Sequence, residues 1–355
     1  MKTPLRTFKP PPNSCEHAQG EQSGVSIMIG SISNISSRRL SLARRYQRVH
    51  RSKRRTTLGA MPVPDLFCRY VAAGFLLAFS LLALGTQAKG QALTMDGGSG
   101  VFFQPWANVV PAKPGHFNGP TLSYHAVTAG PVAGDYFNVS VEEGFGNWLE
   151  FGYTRNNHSD GGDPSLSPLF NYAGMNIFNA KAKVIPQGGF HHRWLPAFAL
   201  GGVLRTNVPY VSQSFAHKNA TNGDIYGTAT ELLVIDKKLP VLMNAGVRGT
   251  NGEVYGYGGN ADQWQALAFG ALAFPVPVKH VLIAPTVEVD QEPHHLAYVP
   301  YVSIPTTLIY AVRISGYPSQ RWAIDIGTGH VAGNAGPGVN LKANNALAIA
   351  LDYRF

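Results

Sequence analysis

The last fifteen residues, Leu341 to Phe355, most narrow what this chain can fold into. Leu347, Ile349, Leu351, Tyr353 and Phe355 alternate with Ala346, Ala348, Ala350, Asp352 and Arg354. A period of two sustained over ten residues describes a strand with one apolar face and one small or polar face. Its length suits a tilted bilayer crossing. The sequence then stops on an aromatic residue, with no polar tail to dissolve the end.

This ending resembles the closing strand of bacterial outer-membrane β-barrels. In those proteins a terminal Phe follows an aromatic two positions earlier and hydrophobic residues at alternate positions before that. The resemblance implies that Leu351, Tyr353 and Phe355 form a membrane-assembly signal read by the barrel-assembly machinery, with periplasmic chaperones and outer-membrane lipid as further partners.

Composition agrees with such a barrel. Charged residues make up 14% of the chain, against about 25% in soluble proteins, and there are 39 glycines. A mean hydropathy of −0.05 excludes a stack of membrane helices. The net charge of +9 invites a nucleic-acid reading, but its location removes it. Residues 1–60 hold 12 of the 29 basic residues and two of the 20 acidic ones, leaving a near-neutral body of 17 basic and 18 acidic residues. No nucleic-acid partner is expected.

Four segments follow. Residues 1–60 are Ser- and Arg-rich without apolar periodicity and read as a disordered basic segment, an over-extended start, the alternative being a genuine basic arm before an uncleaved anchor. Residues 61–92 read as a cleaved secretory signal peptide. Arg69 precedes an apolar run from Val71 to Leu84, and small-residue exits follow at Thr86-Gln87-Ala88 and Gly90-Gln91-Ala92. Both cysteines, Cys15 and Cys68, precede the mature start, so the exported chain crosses an oxidising compartment without mispairing. Residues 93–120 read as an N-terminal periplasmic lead, and 121–355 as an all-β, single antiparallel transmembrane barrel.

About twelve strands are expected, at 121–128, 135–143, 148–155, 177–186, 194–206, 224–235, 241–250, 263–274, 280–289, 306–315, 320–328 and 343–355. The connections between them alternate short and long, as periplasmic turns and extracellular loops do. The exception is 129–134, which should be long and is short. The long connections include 251–262 and 329–342. Trp148, Trp194 and Trp322 open three strands on one side and suit an aromatic girdle. Pro285 falls inside the ninth strand, where a bulge or a misplaced boundary is expected.

The body also resembles a bacterial family of secreted outer-membrane barrels of unknown function. The residues that carry this likeness include Gly100 to Pro105 with Ala107, Val139 to Arg155, Leu166-Ser167-Pro168 and Asn176-Ile177-Phe178. Others are Asn222 to Tyr226, Lys238-Leu239-Pro240, Asn244 to Val247, Ile304 to Leu308 and Ala332-Gly333. The likeness spans about 97–355 and implies location and architecture without an activity.

The faces opposite the apolar ones carry Glu142, Glu150, Lys181, Lys183, Arg205, Arg248, Glu288, Arg313, Asp325, Asp352 and Arg354, the candidate lumen lining. Such charges either ring a selective pore or fill the interior as salt bridges. Twelve strands lie between filled eight-stranded barrels and open 16-stranded porins, so both readings stand.

Enzyme and metal motifs are weak. His158-Ser159-Asp160-Gly161 departs from the spacing of outer-membrane phospholipases and reads as a turn. His191-His192 and Glu292-Pro293-His294-His295 lie on opposite sides of the membrane and read as surface histidines. Gly256 to Asn260 introduces no helix, so it is no dinucleotide loop. Asp160 to Asp163 lacks the spaced ligands of a calcium site. No cofactor, metal or catalytic residue is expected. The functional expectation is a porin-like conduit or structural envelope protein for an unidentified solute. A lipid-acting enzyme and a soluble periplasmic β-protein are the alternatives.

Overall fold

The computed structural model describes residues 92–209, 221–235, 239–293 and 303–355. The basic segment 1–60, the signal peptide apart from Ala92, and Lys238, His294 and His295 lie outside the described residues.

Among the described residues there are fifteen strands: β1 (Thr121–Thr128), β2 (Asp135–Phe145), β3 (Leu149–Ser159), β4 (Asn176–Ile185), β5 (Ala197–Thr206), β6 (Thr221–Ile235), β7 (Leu239–Glu253), β8 (Gly259–Ala273), β9 (Val276–Val278), β10 (Val281–Asp290), β11 (Thr307–Gly316), β12 (Trp322–His330), β13 (Ala332–Gly336), β14 (Val339–Ala343) and β15 (Ala346–Arg354). Twelve of them form one antiparallel ring, each paired with the next, with β9 extending β8 along β10 and the β13–β14 hairpin standing apart. The ring closes where β15 pairs with β1, from Thr121 opposite Arg354 to Thr128 opposite Leu347. Closure leaves no edge strand with unpaired amides, which hydrocarbon would penalise by several kcal/mol per group.

Period two places the faces. Val139, Phe151, Phe178, Leu204, Ile225, Val247, Tyr310, Ile326 and Leu347 are exposed on the outside. Their chain neighbours, including Ser140, Glu150, Asn179, Asp224 and Arg248, are buried inside. Among the described residues no helix is long and apolar enough to cross a membrane.

Several expectations need correction. The first part of the expected lead, residues 93–110, lies inside the barrel, while 113–117 are exposed. Leu93, Phe102, Ala107 and Val110 are buried, and the backbone of 99–110 bonds to side chains of β3, β6 and β10. Alternation could not reveal this segment because its amides bond to carboxylates instead of to a neighbouring strand. The connection 251–262 is short, because β7 and β8 run on to Glu253 and Gly259 through a register shift after Thr250. The connection 329–342 contains the β13–β14 hairpin, and β15 starts at Ala346 instead of 343.

No register shift accompanies Pro285, which pairs straight across with Val312. On its other side the ladder passes from β8, ending at Thr286 opposite Ala273, to β9, starting at Ile283 opposite Val276. The missing amide therefore falls at a break that needs no donor.

Candidate functional site: the lumen and its plug

One end of the barrel carries the turns 146–148, 186–196, 274–280 and 317–321 together with the start of β1 and the end of β15. The other carries the connections 129–134, 160–175, 254–258 and 331–345. These are called the terminal end and the loop end.

Residues 92–111 form a plug. The chain enters beside Asp352, where the amide of Leu93 reaches Oδ1 at 3.4 Å. It climbs to Met95 and Asp96 near the loop end. There Asn138 Nδ2 donates to the Met95 carbonyl at 2.6 Å, and Arg205 pairs with Asp96. It then turns back through Gly97 to Gly100. Gly97 has φ +97°, and a Cβ there would sit 2.4 Å from Thr154 Oγ1; one at Gly100 would sit 2.3 Å from the Gln104 carbonyl oxygen. Only glycine fits both places.

The descending limb is held by two carboxylates. Glu288 accepts the amides of Phe102, Phe103 and Gln104 at 2.7, 2.9 and 2.9 Å. Glu150 accepts the amides of Ser99 at 2.9 Å and Val110 at 2.7 Å, and the Ser99 hydroxyl at 2.6 Å. Lys181 bonds the Ser99 carbonyl at 2.7 Å and pairs with Glu150 at 2.9 Å. Ala107 donates to Thr230 Oγ1 at 2.7 Å, while Asn244 and Thr228 donate to the Pro105 carbonyl at 3.1 and 3.2 Å. Irregular backbone in a lumen must find partners there, because no ladder supplies them. Residues 112–120 then lead to β1, with the amide of Phe355 closing on the Pro120 carbonyl at 3.2 Å.

Charged side chains recur as a cation between two acids. Arg205 pairs with Asp96 and with Asp224, the latter at 2.7 Å. Arg248 meets Asp290 at 2.7 Å and Glu292 at 3.4 Å. Arg313 holds Asp325 at 2.8 Å with Asp352 nearby, and Lys181 holds Glu150 with Glu142 nearby. Burial pushes the Asp96 carboxyl up, against the opposing pull of Arg205. Burial likewise raises Glu292, in the loop after β10, to about 7, with Arg248 pulling it down. Among the candidate lumen residues, Glu142, Glu150, Lys181, Arg205, Arg248, Glu288, Asp325, Asp352 and Arg354 are buried, and Lys183 and Arg313 are half-buried.

Sequence reasoning missed Asp96, Asp224 and Asp290. The last two lie on the same inward register as Tyr226 and Glu288, so the alternation carried their signal. Asp96 had none, because its partner Arg205 is 109 residues away.

The remaining motifs are structural in placement. His158 Nε2 lies 2.7 Å from the Ala133 carbonyl oxygen and its ring stacks on Tyr172 at 4.7 Å, while Ser159 pairs with Asp135 across the β2–β3 ladder. His191 and His192 are exposed at the terminal end. Tyr255 and Tyr257, at the tip of β7–β8, fold inward. Tyr257 accepts from Asn138 at 2.5 Å, and Tyr255 stacks on Phe103 at 4.4 Å. With Met95, Val127 and Tyr136 they seal the loop end. A second cluster of Val132, Phe170, Ile304, Val331 and Leu341 lies among the loops there. Trp148 and Trp194 are exposed at the terminal end, whereas Trp322 lines a cavity there.

No family model matches this chain, and no curated protein does. Among solved structures it is similar to the KdgM porin in complex with disordered oligogalacturonate, at 11% identity and TM-score 0.39, covering 66% of this chain and 99% of that one. It is also similar to the beta domain of the Bordetella autotransporter BrkA, at 11% identity and TM-score 0.34, covering 67% and 99%. For the outer membrane channel DcaP of Acinetobacter baumannii the identity is 10% and the TM-score 0.29, covering 67% and 71%. At such scores the barrel assignment rests on this chain's own closed strand pairing.

Proposed function

We propose that this chain is a porin-like barrel of the bacterial outer membrane, a passive conduit for small solutes whose lumen is occluded at rest by its own residues 92–111. The observation that carries this reading is the closed twelve-strand ring, apolar outside and lined inside by charges of both signs. The lumen charges then line the route that opens when the plug shifts. Leu351, Tyr353 and Phe355 would serve barrel assembly and chaperone recognition during insertion, and lipid would surround the finished ring.

Planar-bilayer recording tests it. The intact refolded chain should be nearly silent, and a chain lacking 93–110 should give steady openings. If both are equally silent, the conduit reading goes. A structural envelope barrel, which the filled lumen also supports, would then take its place. No catalytic role is assigned, since His158 is already engaged by Ala133 and Tyr172.

A further inference from the structure

Below the plug, at the terminal end, the lumen opens into a cavity of about 560 Å³. Its two walls differ. From β6 to β10 and the β8–β10 turn come Leu232, Leu242, Pro275, Pro277 and Leu282. Opposite stand Arg321, in the β11–β12 turn, and Arg354, at the end of β15.

These arginines stand apart from the other lumen cations. Lys181, Arg205, Arg248 and Arg313 each pair with a carboxylate. Among the described residues Arg321 and Arg354 have no acidic partner. Among the described residues the only acid on the cavity wall is Asp352, which receives the Leu93 amide and faces Arg313; Lys183 adds a further positive charge. The Arg354 amide donates to the Arg321 carbonyl at 2.8 Å, so the two side chains hang from adjacent points.

Their free donors are specific. Arg354 is buried and donates through Nη2 to the Pro111 carbonyl, which leaves Nε and Nη1 without a partner, as is Nε of Arg321. The Arg321 guanidinium lies over the Tyr353 ring at 5.7 Å, which fixes its position. Two like charges with open donors, side by side over apolar walls, are unfavourable unless an anion joins them. A guanidinium fork suits a carboxylate or phosphate better than an ammonium would.

We propose that this vestibule binds a single-chain amphipathic anion, its carboxylate or phosphate head on Arg321 and Arg354 and its alkyl body along the apolar wall. The volume falls within the roughly 300–1,000 Å³ of small-molecule sites. It admits one chain and excludes a two-chain phospholipid. The site does not depend on passage through the barrel, so a barrel that never conducts would still bind.

Trp106 and Trp322 line the cavity and report on it. The full chain, refolded in neutral maltoside micelles, is titrated with 11-bromoundecanoate, whose bromine quenches a tryptophan it touches. Quenching should saturate, and 11-bromoundecanol should bind about tenfold more weakly or worse, the charged hydrogen bonds being lost. Arg321→Gln and Arg354→Gln should each weaken the acid by a similar factor. Trp106→Phe should remove part of the saturable signal. Arg321 lies outside the strands, so its variant keeps the test open if Arg354→Gln fails to insert. Equal, unsaturable quenching by acid and alcohol means micelle partitioning and overturns the site. Displacement by inorganic phosphate as readily as by undecanoate also overturns it, because the apolar wall would then have no role. Displacement by phosphatidylglycerol at equal amounts overturns the single-chain assignment.

Discussion

The two ends of this barrel handle charge in opposite ways. At the loop end Arg205 and Arg248 each sit between two acids, beneath a lid of Tyr136, Tyr255, Tyr257 and Met95. At the terminal end Lys183, Arg321 and Arg354 line an open cavity and have no acidic partner among the described residues. Water explains the contrast. An unpaired charge under a dry lid costs several kcal/mol, whereas Lys183 and Arg321, half-buried beside an open vestibule, keep part of their hydration. The Arg313–Asp325 pair also borders the terminal cavity, so the contrast lies between the unpaired cations at its rim and the triads beneath the lid.

The sharpest way to break this comparison is to remove a cation from each end. Arg205→Ala leaves Asp96 and Asp224 buried together and should cost about 3–5 kcal/mol. Lys183→Ala should cost no more than about 1 kcal/mol, since the half-buried lysine has no carboxylate partner among the described residues to leave unpaired. Urea unfolding of the refolded barrel in micelles measures both. Equal losses would mean that the two ends are solvated alike and that the contrast is not one of closure.

The latch between the ends comes next in size. Glu288→Gln keeps the shape of the side chain but replaces a carboxylate that accepts three plug amides with a group having a single acceptor oxygen. At least one amide of Phe102, Phe103 or Gln104 loses its bond, for a loss of about 1–3 kcal/mol. Because Glu288 holds the plug directly, limited proteolysis within 99–110 should accelerate more than global unfolding does. Proteolysis unchanged from the intact chain would mean that Glu288 does not hold the plug.

What could be read beforehand divides along the same line. The ring was legible because inside and outside differ at every second residue: Tyr310 and Val312 exposed, Ile309 and Ala311 buried on β11. The plug was not, because residues 92–111 have no period and their partners are acceptors on distant strands. Glu150 and Glu288 could be read as facing inward, but not as the groups that seat backbone amides. The tip of β7–β8 was misread for a related reason. Asn251, Gly252 and Gly256 look like loop residues, yet a register shift absorbs the first two and Gly256 packs its backbone against Arg205. Sequence patterning reports which face meets lipid, while the filling of the lumen depends on contacts between segments far apart in the chain.

The smallest expected effect refines the loop end itself. Its outer layer should behave like solvent-exposed surface even though the lid beneath it is closed. Lys342 reaches Asp163 Oδ2 at 2.8 Å across two loops, while the amides of Ser165 and Leu166 donate to Oδ1 at 3.0 and 3.1 Å. The lysine bond first, and the amides after it, hold the Asp163 carboxyl down at about 2, below its usual 3.8. A depressed carboxylate contributes stability that is present above its unfolded value and is lost as the pH falls through its folded value. The contribution is therefore complete near pH 5 and vanishes between about pH 4 and 2. Lys342→Met should move the carboxyl only part of the way back toward 3.8, since both amides remain. Carboxyl-carbon NMR of aspartate-labelled protein follows the titration directly. A full return to 3.8 would show that Lys342 alone sets the ionisation and that the turn at 163–166 contributes nothing. No movement at all would show that the two loops are not tied together, and that the loop end is closed only by the tyrosine lid within it.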